Sequence, residues 1–210
     1  MRNIPVAYED DWILIVEKPS GLLTIPTPKN ERNTLTDILN EEAKNKGLSF
    51  RMHPCHRLDR DTSGLIIYAK GKSIQKKIMD EFKGQRVKKK YVAFVQGQIK
   101  GAYGQISKRI DGSSALTKYQ VLERRKSFNI VEVSPLSGRK NQIRIHFKSI
   151  GHPIVGEDKF VFRKDFALRF RRLCLHAKSL EFRHPVTQKI LSLDTDLPKD
   201  MENFLHQNPR

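Results

Sequence analysis

A chain of 210 residues with 40 Lys and Arg against 23 Asp and Glu carries a formal charge of +17, and 38% of it is hydrophobic. That length supports a single catalytic-size domain over 1–210 with a real core. The cationic excess points to a polyanion, because Lys and Arg that neutralise phosphates release condensed counterions, although an anionic membrane surface would satisfy the same charge. No apolar run approaches the ~18 residues of a membrane-spanning helix. Met1 to Pro5 lead into acidic Tyr8-Glu9-Asp10-Asp11 in place of a signal-peptide core, and Cys55 and Cys174 are too few for a disulfide framework. Membrane-spanning, secreted and fibrous classes drop out, which leaves a reducing, cytoplasmic setting and a monomer as the expectations.

In chain order, Trp12-Ile-Leu-Ile-Val16 predicts a buried strand ended by a turn at Lys18-Pro19-Ser20-Gly21. Residues 22–33, broken by Pro26, Pro28 and Asn30, predict an ordered loop. Thr34 caps a helix with Leu35, Ile38 and Leu39 on one face and Gly47 as its stop. Residues 51–63 lack periodicity, and strand character returns at Leu65 to Ala69. A second helix starts at Ser73, turns Ile74, Ile78, Met79 and Phe82 inward, and ends at Gly84. Strands follow at Tyr91 to Val95, Leu116 to Val121 and Asn129 to Val133. A helix is expected over 141–150, strands over 175–182 and 189–193, and a last helix opened by Pro198. Strands in mixed order with a few helices predict an α+β fold around one mainly antiparallel sheet.

The densest chemistry lies in His53-Pro-Cys-His-Arg-Leu-Asp-Arg-Asp-Thr-Ser-Gly64, a polar loop between apolar stretches. Asp59 and Asp61 supply the paired carboxylates of acid/base or metal-assisted chemistry. The competing reading makes Asp61, Thr62 and Ser63 turn formers that bond their own backbone. His53, Cys55 and His56, with Cys174 and His176, are candidate zinc ligands. Their spacing lacks the paired C-x₂-C form, so no metal is expected. Arg139, Gln142, Arg144 and His146 crowd together at helical spacing in Ser137 to His146, as a functional face or as an ordinary solvated one. His152 in the turn Gly151 to Gly156 reads as structural. Neither a phosphate-binding G-x-x-x-x-G-K-[ST] nor a G-x-G-x-x-G is present, which argues against nucleotide hydrolysis and dinucleotide chemistry. Basic runs at Lys76-Lys77, Arg86 to Lys90, Arg124 to Lys126 and Arg169 to Arg172, with Phe160, Phe162, Phe166 and Phe170 among them, suit an RNA-contacting surface.

His56-Arg-Leu-Asp-Arg-Asp-Thr-Ser-Gly-Leu65 resembles the signature of the RluA-type pseudouridine synthases. Four further stretches resemble that family's motifs in order: Trp12 to Gly21, Lys90 to Gly97, Gly138 to His146 with Gly151 to Asp158, and Leu175 to Pro185. The departure is Lys140-Asn141, where many relatives carry Thr-His or Ser-His. The resemblance implies the pseudouridine synthase fold, with no separate N-terminal RNA-binding domain because Trp12 opens the first motif so early. It implies Asp59 as the essential carboxylate, Tyr91 stacked on the target uracil and assisting the last proton removal, and Arg144 paired with Asp59. Arg57 would fill the gap left by a flipped nucleotide, and His56, Arg139, Lys88, Lys89 and Lys90 would contact RNA.

The implied reaction breaks the N-glycosidic bond of a uridine in ribosomal or transfer RNA, rotates the uracil and joins C5 to C1′. It needs no cofactor and no metal. The uridine must leave its stack to rotate, which compensating contacts have to support. Sugar attack by Asp59, addition to the base and a glycal route all fit the residues. Two readings compete: a basic RNA-binding module without chemistry, and a metal nuclease using Asp59 and Asp61.

Overall fold

The structure is a computed structural model that describes residues 3–29, 31–160 and 168–209. It divides into two compact units, Met1–Lys88 with Ser179–Thr195, and Lys89–Lys178 with Asp196–Arg210. The fold class is α+β on mainly antiparallel strands, as the sequence predicts.

In the first unit, β1 (Val6–Glu9) pairs with β2 (Ile13–Lys18), and β2 pairs with β4 (Ser63–Lys70), both antiparallel. The short β3 (Met52–Pro54) adds to β4. Later in the chain β9 (Leu175–Arg183) and β10 (Ile190–Asp194) form an antiparallel hairpin over Ser179 to Asp194. Strands β2 and β4 read as continuous apolar runs because both their faces are covered. Ile13, Ile15, Leu65, Ile67 and Ala69 pack with Ile78 of α2 (Lys72–Lys83) and with Leu180 and Phe182. On the opposite face Tyr68 meets α1 (Leu35–Asn45), its hydroxyl 3.0 Å from Thr36 Oγ1. Helix α1 starts where the sequence places it. The Thr34 hydroxyl accepts from the Asp37 N–H, and the Asp37 carboxylate accepts from the Thr34 N–H at 2.9 Å, a reciprocal capping box.

In the second unit the strand order is β5 (Lys88–Gln96), β8 (Phe128–Pro135), β7 (Leu116–Arg124), β6 (Tyr103–Ser107), each pair antiparallel. Helix α4 (Lys199–Gln207) sets Phe204 against Phe94 and Phe128, with ring centroids 6.0 and 5.4 Å apart. Helix α3 (Gln142–Ser149) sets Phe147 against Tyr119 at 5.4 Å.

Three strands escape the sequence patterns. β1 fully buries none of its residues and β6 only Ile106, so neither shows the alternation that announces a half-buried strand, and β3 is only three residues long. Met79, expected inside, is 38% exposed: α2 buries a narrow stripe around Ile78, with Ile74 and Phe82 partly buried beside it. Phe170 packs edge-on against Phe204 at 4.9 Å, which removes it from the set of base-stacking candidates. Phe162, Phe166 and Asn30 lie outside the described residues.

Candidate active site

The antiparallel register of β2 on β4 sets Lys18 opposite Gly64. The turn that leaves β2 therefore lies beside the loop that enters β4, and residues 18–24 grip the backbone of residues 58–61. Lys18 is 1% exposed, and its Nζ donates to the carbonyls of Pro19, Leu22 and Arg60 at 2.9, 2.7 and 3.0 Å. The Gly21 N–H also donates to the Arg60 carbonyl at 2.9 Å, from a φ of 81° that favours glycine. The Ser20 hydroxyl donates to the Asp61 carbonyl at 2.8 Å. Thr24 Oγ1 donates to the Leu58 carbonyl at 2.9 Å and accepts from the Leu58 N–H at 3.2 Å. Asp59, half-buried, is flanked by clamped residues on both sides, and its own carbonyl accepts from the Thr62 N–H at 3.1 Å. This is how a loop without regular structure can hold a carboxylate in one place.

A buried ammonium with three carbonyl acceptors is costly to lose. Lys18→Met leaves those carbonyls without their shared donor, a loss of about 3 kcal/mol. The expected result is a melting temperature lower by about 6–12 °C, with turnover reduced because the loop beside Asp59 loosens. Thermal melts of wild type and variant decide it, and an unchanged midpoint would show that the clamp is dispensable.

The remaining residues of the loop divide by exposure. Arg57 is exposed, and Asp61 is half-buried. His56 accepts the Ile67 N–H on Nε2 at 3.1 Å and lies 4.8 Å from the Phe82 ring, so part of its role is to tie the loop to β4. The candidate zinc ligands are poorly suited to metal. Cys55 is buried, its Sγ donates to the His53 carbonyl at 3.8 Å, and burial pushes its thiol up to about 12. Among the described residues no three His, Cys, Asp or Glu gather to hold an ion.

In the second unit, Tyr91 is half-buried on β5, opposite Val133 and packed against the core. Strand alternation settles which lysine shares its face. Lys89 does: it is half-buried, and desolvation lowers its ammonium below the ordinary value. Lys88 and Lys90 are exposed and form ion pairs with Glu181 (2.6 Å) and Glu132 (3.0 Å). Exposed pairs of this kind hold by at most about 1 kcal/mol, so phosphates can take either lysine.

Arg144 is 3% exposed on α3. Its Nε and Nη2 donate to Oε2 and Oε1 of fully buried Glu157 at 2.7 and 2.6 Å, a bidentate pair. Glu157 Oε1 also accepts the N–H groups of Lys159 and Phe160, at 2.9 and 3.3 Å, and the Phe160 ring lies 5.3 Å from the guanidinium carbon. The guanidinium plane is thereby fixed. Glu157 is a partner that the sequence reading did not name; the signal available was its place in the motif Gly151 to Asp158. Gln142 and His146 share a face, as their spacing predicts, but that face is buried. Gln142 Nε2 donates to the Thr117 hydroxyl at 2.9 Å, and His146 Nδ1 lies 2.8 Å from the same oxygen. The His146 Nε2–H donates to the Lys108 carbonyl at 3.2 Å. Arg139 precedes the helix, exposed, with its N–H donated to Gln142 Oε1 at 3.0 Å. His152 is structural: its Nδ1–H donates to the Gln96 carbonyl at 2.9 Å.

These arrangements sit in a chain whose residues 12–149 match the family described as RNA pseudouridylate synthase. An "Uncharacterized RNA pseudouridine synthase YlyB" of Bacillus subtilis is 34% identical over 97% of this chain and 72% of its own length. The "Dual-specificity RNA pseudouridine synthase RluA" of Haemophilus influenzae is 32% identical over 91% of this chain and 92% of its own. Among solved structures, "Human RNA Pseudouridylate Synthase Domain Containing 4" superposes with a TM-score of 0.82 at 26% identity, covering 97% of this chain and 92% of that one. Fold and motifs define an RNA-modifying isomerase. The chain belongs to the RNA pseudouridine synthase family, and within it to the RluA type.

Proposed function

We propose that the protein isomerises specific uridines to pseudouridine in structured ribosomal or transfer RNA, with Asp59 as the essential carboxylate and both units serving as one catalytic domain over 1–210. The observation that carries this reading is the backbone clamp on Leu58, Arg60 and Asp61, which holds the chain on both sides of Asp59. A "Ribosomal large subunit pseudouridine synthase D" of Nitrosomonas europaea, 32% identical over 96% of this chain and 64% of its own length, supports a ribosomal target.

In this reading a uridine leaves its stack, exposed Arg57 takes its place, and the planar guanidinium bonds the surrounding bases. The glycosidic bond breaks, the uracil turns about Tyr91, C5 joins C1′, and the C5 proton leaves to solvent. Arg144 is the cationic residue that the family motif assigns to the chemistry, and Glu157 fixes its orientation. Lys88, Lys89, Lys90, Arg139 and His56 contact the RNA. Tyr91 acts on the last proton, so Tyr91→Phe should bind RNA as wild type and release the C5 hydrogen about 10²–10⁴ times more slowly. Unchanged kinetics in a single-turnover assay would remove Tyr91 from the chemistry.

The test of the function is release of tritium from C5-labelled uridine in total RNA of cells lacking the protein, with a chelator present. Release without strand cleavage is expected. Release that stops with the chelator, or cleavage of the RNA, would favour the metal-nuclease reading. Salt-sensitive binding with no release would leave an RNA-binding module.

A further inference from the structure

The cationic charge of this chain is unevenly divided. Residues 89–178 and 196–210 carry 22 Lys and Arg against 9 Asp and Glu, a formal +13. The other unit carries 18 against 14, a formal +4. Core packing needs none of that excess. Part of it projects from two loops that the fold ties to one helix.

The first is the β6–β7 connection. It begins with exposed Lys108 and Arg109 and closes on itself through paired bonds between Ile110 and Ser113 (2.9 and 3.0 Å) and from Arg109 Nε to the Gly112 carbonyl at 3.0 Å. The second is the approach to α3, which presents exposed Arg139 and Lys140. Both loops are moored to α3 and to each other. His146 holds the Lys108 carbonyl, Gln142 holds the Leu116 carbonyl at 3.0 Å and the Arg139 N–H, and Arg139 Nε reaches the Ser114 carbonyl at 3.4 Å. Gln142 and His146 are about 6 Å apart along the helix, so the anchors of both loops fall within about one turn. The one carboxylate in these two loops is exposed Asp111, at the turn of the first.

We propose that Lys108, Arg109 and Lys140 join Arg139 in a phosphate-binding ridge that docks the RNA backbone outside the reacting nucleotide, extending the RNA-contact set beyond the catalytic loop, residues 88–90 and Arg139. The proposal rests on the RNA-modifying reading above. Four cations on backbone held by hydrogen bonds suit a polyanion. Ordering of the loops is completed in folding, so little of it remains as a cost of binding. Contacts to phosphate position an RNA without reading its sequence, so the ridge acts on affinity for any structured RNA.

The test is Lys108→Ala/Arg109→Ala beside Lys44→Ala/Lys46→Ala, which removes two exposed cations from the other unit. Binding to an unmodified transcript of large ribosomal RNA is measured by fluorescence anisotropy over a salt series, and circular dichroism melts establish that each variant folds. The ridge variant should bind about tenfold more weakly, with the slope of log K against log salt reduced by about 1.4–1.8, since each lost phosphate contact removes about 0.7–0.9. In the tritium assay its KM should rise in parallel while kcat at saturating RNA changes less than twofold. Affinity and slope equal to wild type would overturn the ridge, and so would an equal loss in the Lys44/Lys46 variant. Absence of tritium release by the wild type would instead sink the catalytic reading, and the anisotropy result would still decide the ridge.

Discussion

Asp59→Asn should abolish tritium release, by at least about 10⁴-fold, and leave RNA affinity within about twofold. Asn keeps the shape of the side chain and loses its negative charge and its basicity, the properties that every route through Asp59 requires. The clamps on the backbone of Leu58, Arg60 and Asp61 are retained in this variant, and circular dichroism melts check that it folds. Asp61→Asn is the matched control. The Ser20 hydroxyl holds the Asp61 carbonyl, a group that the substitution retains, so this variant should keep most of its turnover. Equal loss in the two variants would remove Asp59 from its assigned role. A substantial fall in affinity for Asp59→Asn would assign the carboxylate to binding instead of chemistry.

Glu157→Ala should be the most destabilising single change among those considered. It removes the bidentate partner of the buried Arg144 guanidinium and leaves the Lys159 and Phe160 N–H groups without their acceptor. Breaking a buried pair from one side costs about 3–5 kcal/mol, which corresponds to a melting temperature lower by about 6–20 °C at this chain length. Asp158, 3.6 Å from Arg144 and 88% exposed, is too solvated to replace it. Turnover should fall by about 10²-fold even below the melting range, as a misplaced catalytic group does. A double variant, Arg144→Met/Glu157→Leu, separates the two effects. Removing both charges should restore most of the stability without restoring turnover. Turnover recovered along with stability would show that the pair only supports the fold.

Local information made much of this molecule legible. The Thr34 and Asp37 capping box lies within four residues, and the start of α1 follows from it. The apolar runs at 13–16 and 65–69 are visible as strands because covering on both faces makes them continuous. The polar cluster around Asp59 is legible for a related reason: its residues are contiguous, so the motif survives without knowledge of the fold. Strand β6 failed the same approach, since Tyr103-Gly-Gln-Ile-Ser buries only Ile106 and carries no period. Met79 failed because the apolar stripe of α2 is wider in the sequence than the surface available to cover it.

The sequence by itself determined the order of most elements, the family motifs, the cationic excess and the contiguous loop that carries Asp59. These depend on caps, periods and neighbours a few residues apart. Only the tertiary structure decided what holds that loop and what fixes Arg144. Lys18 reaches Arg60 across 42 residues because the β2–β4 register brings them together, Thr24 meets Leu58 across 34, and Glu157 pairs with Arg144 across 13. Such pairings follow from strand register and from which groups burial forces to find partners, and no local pattern encodes either.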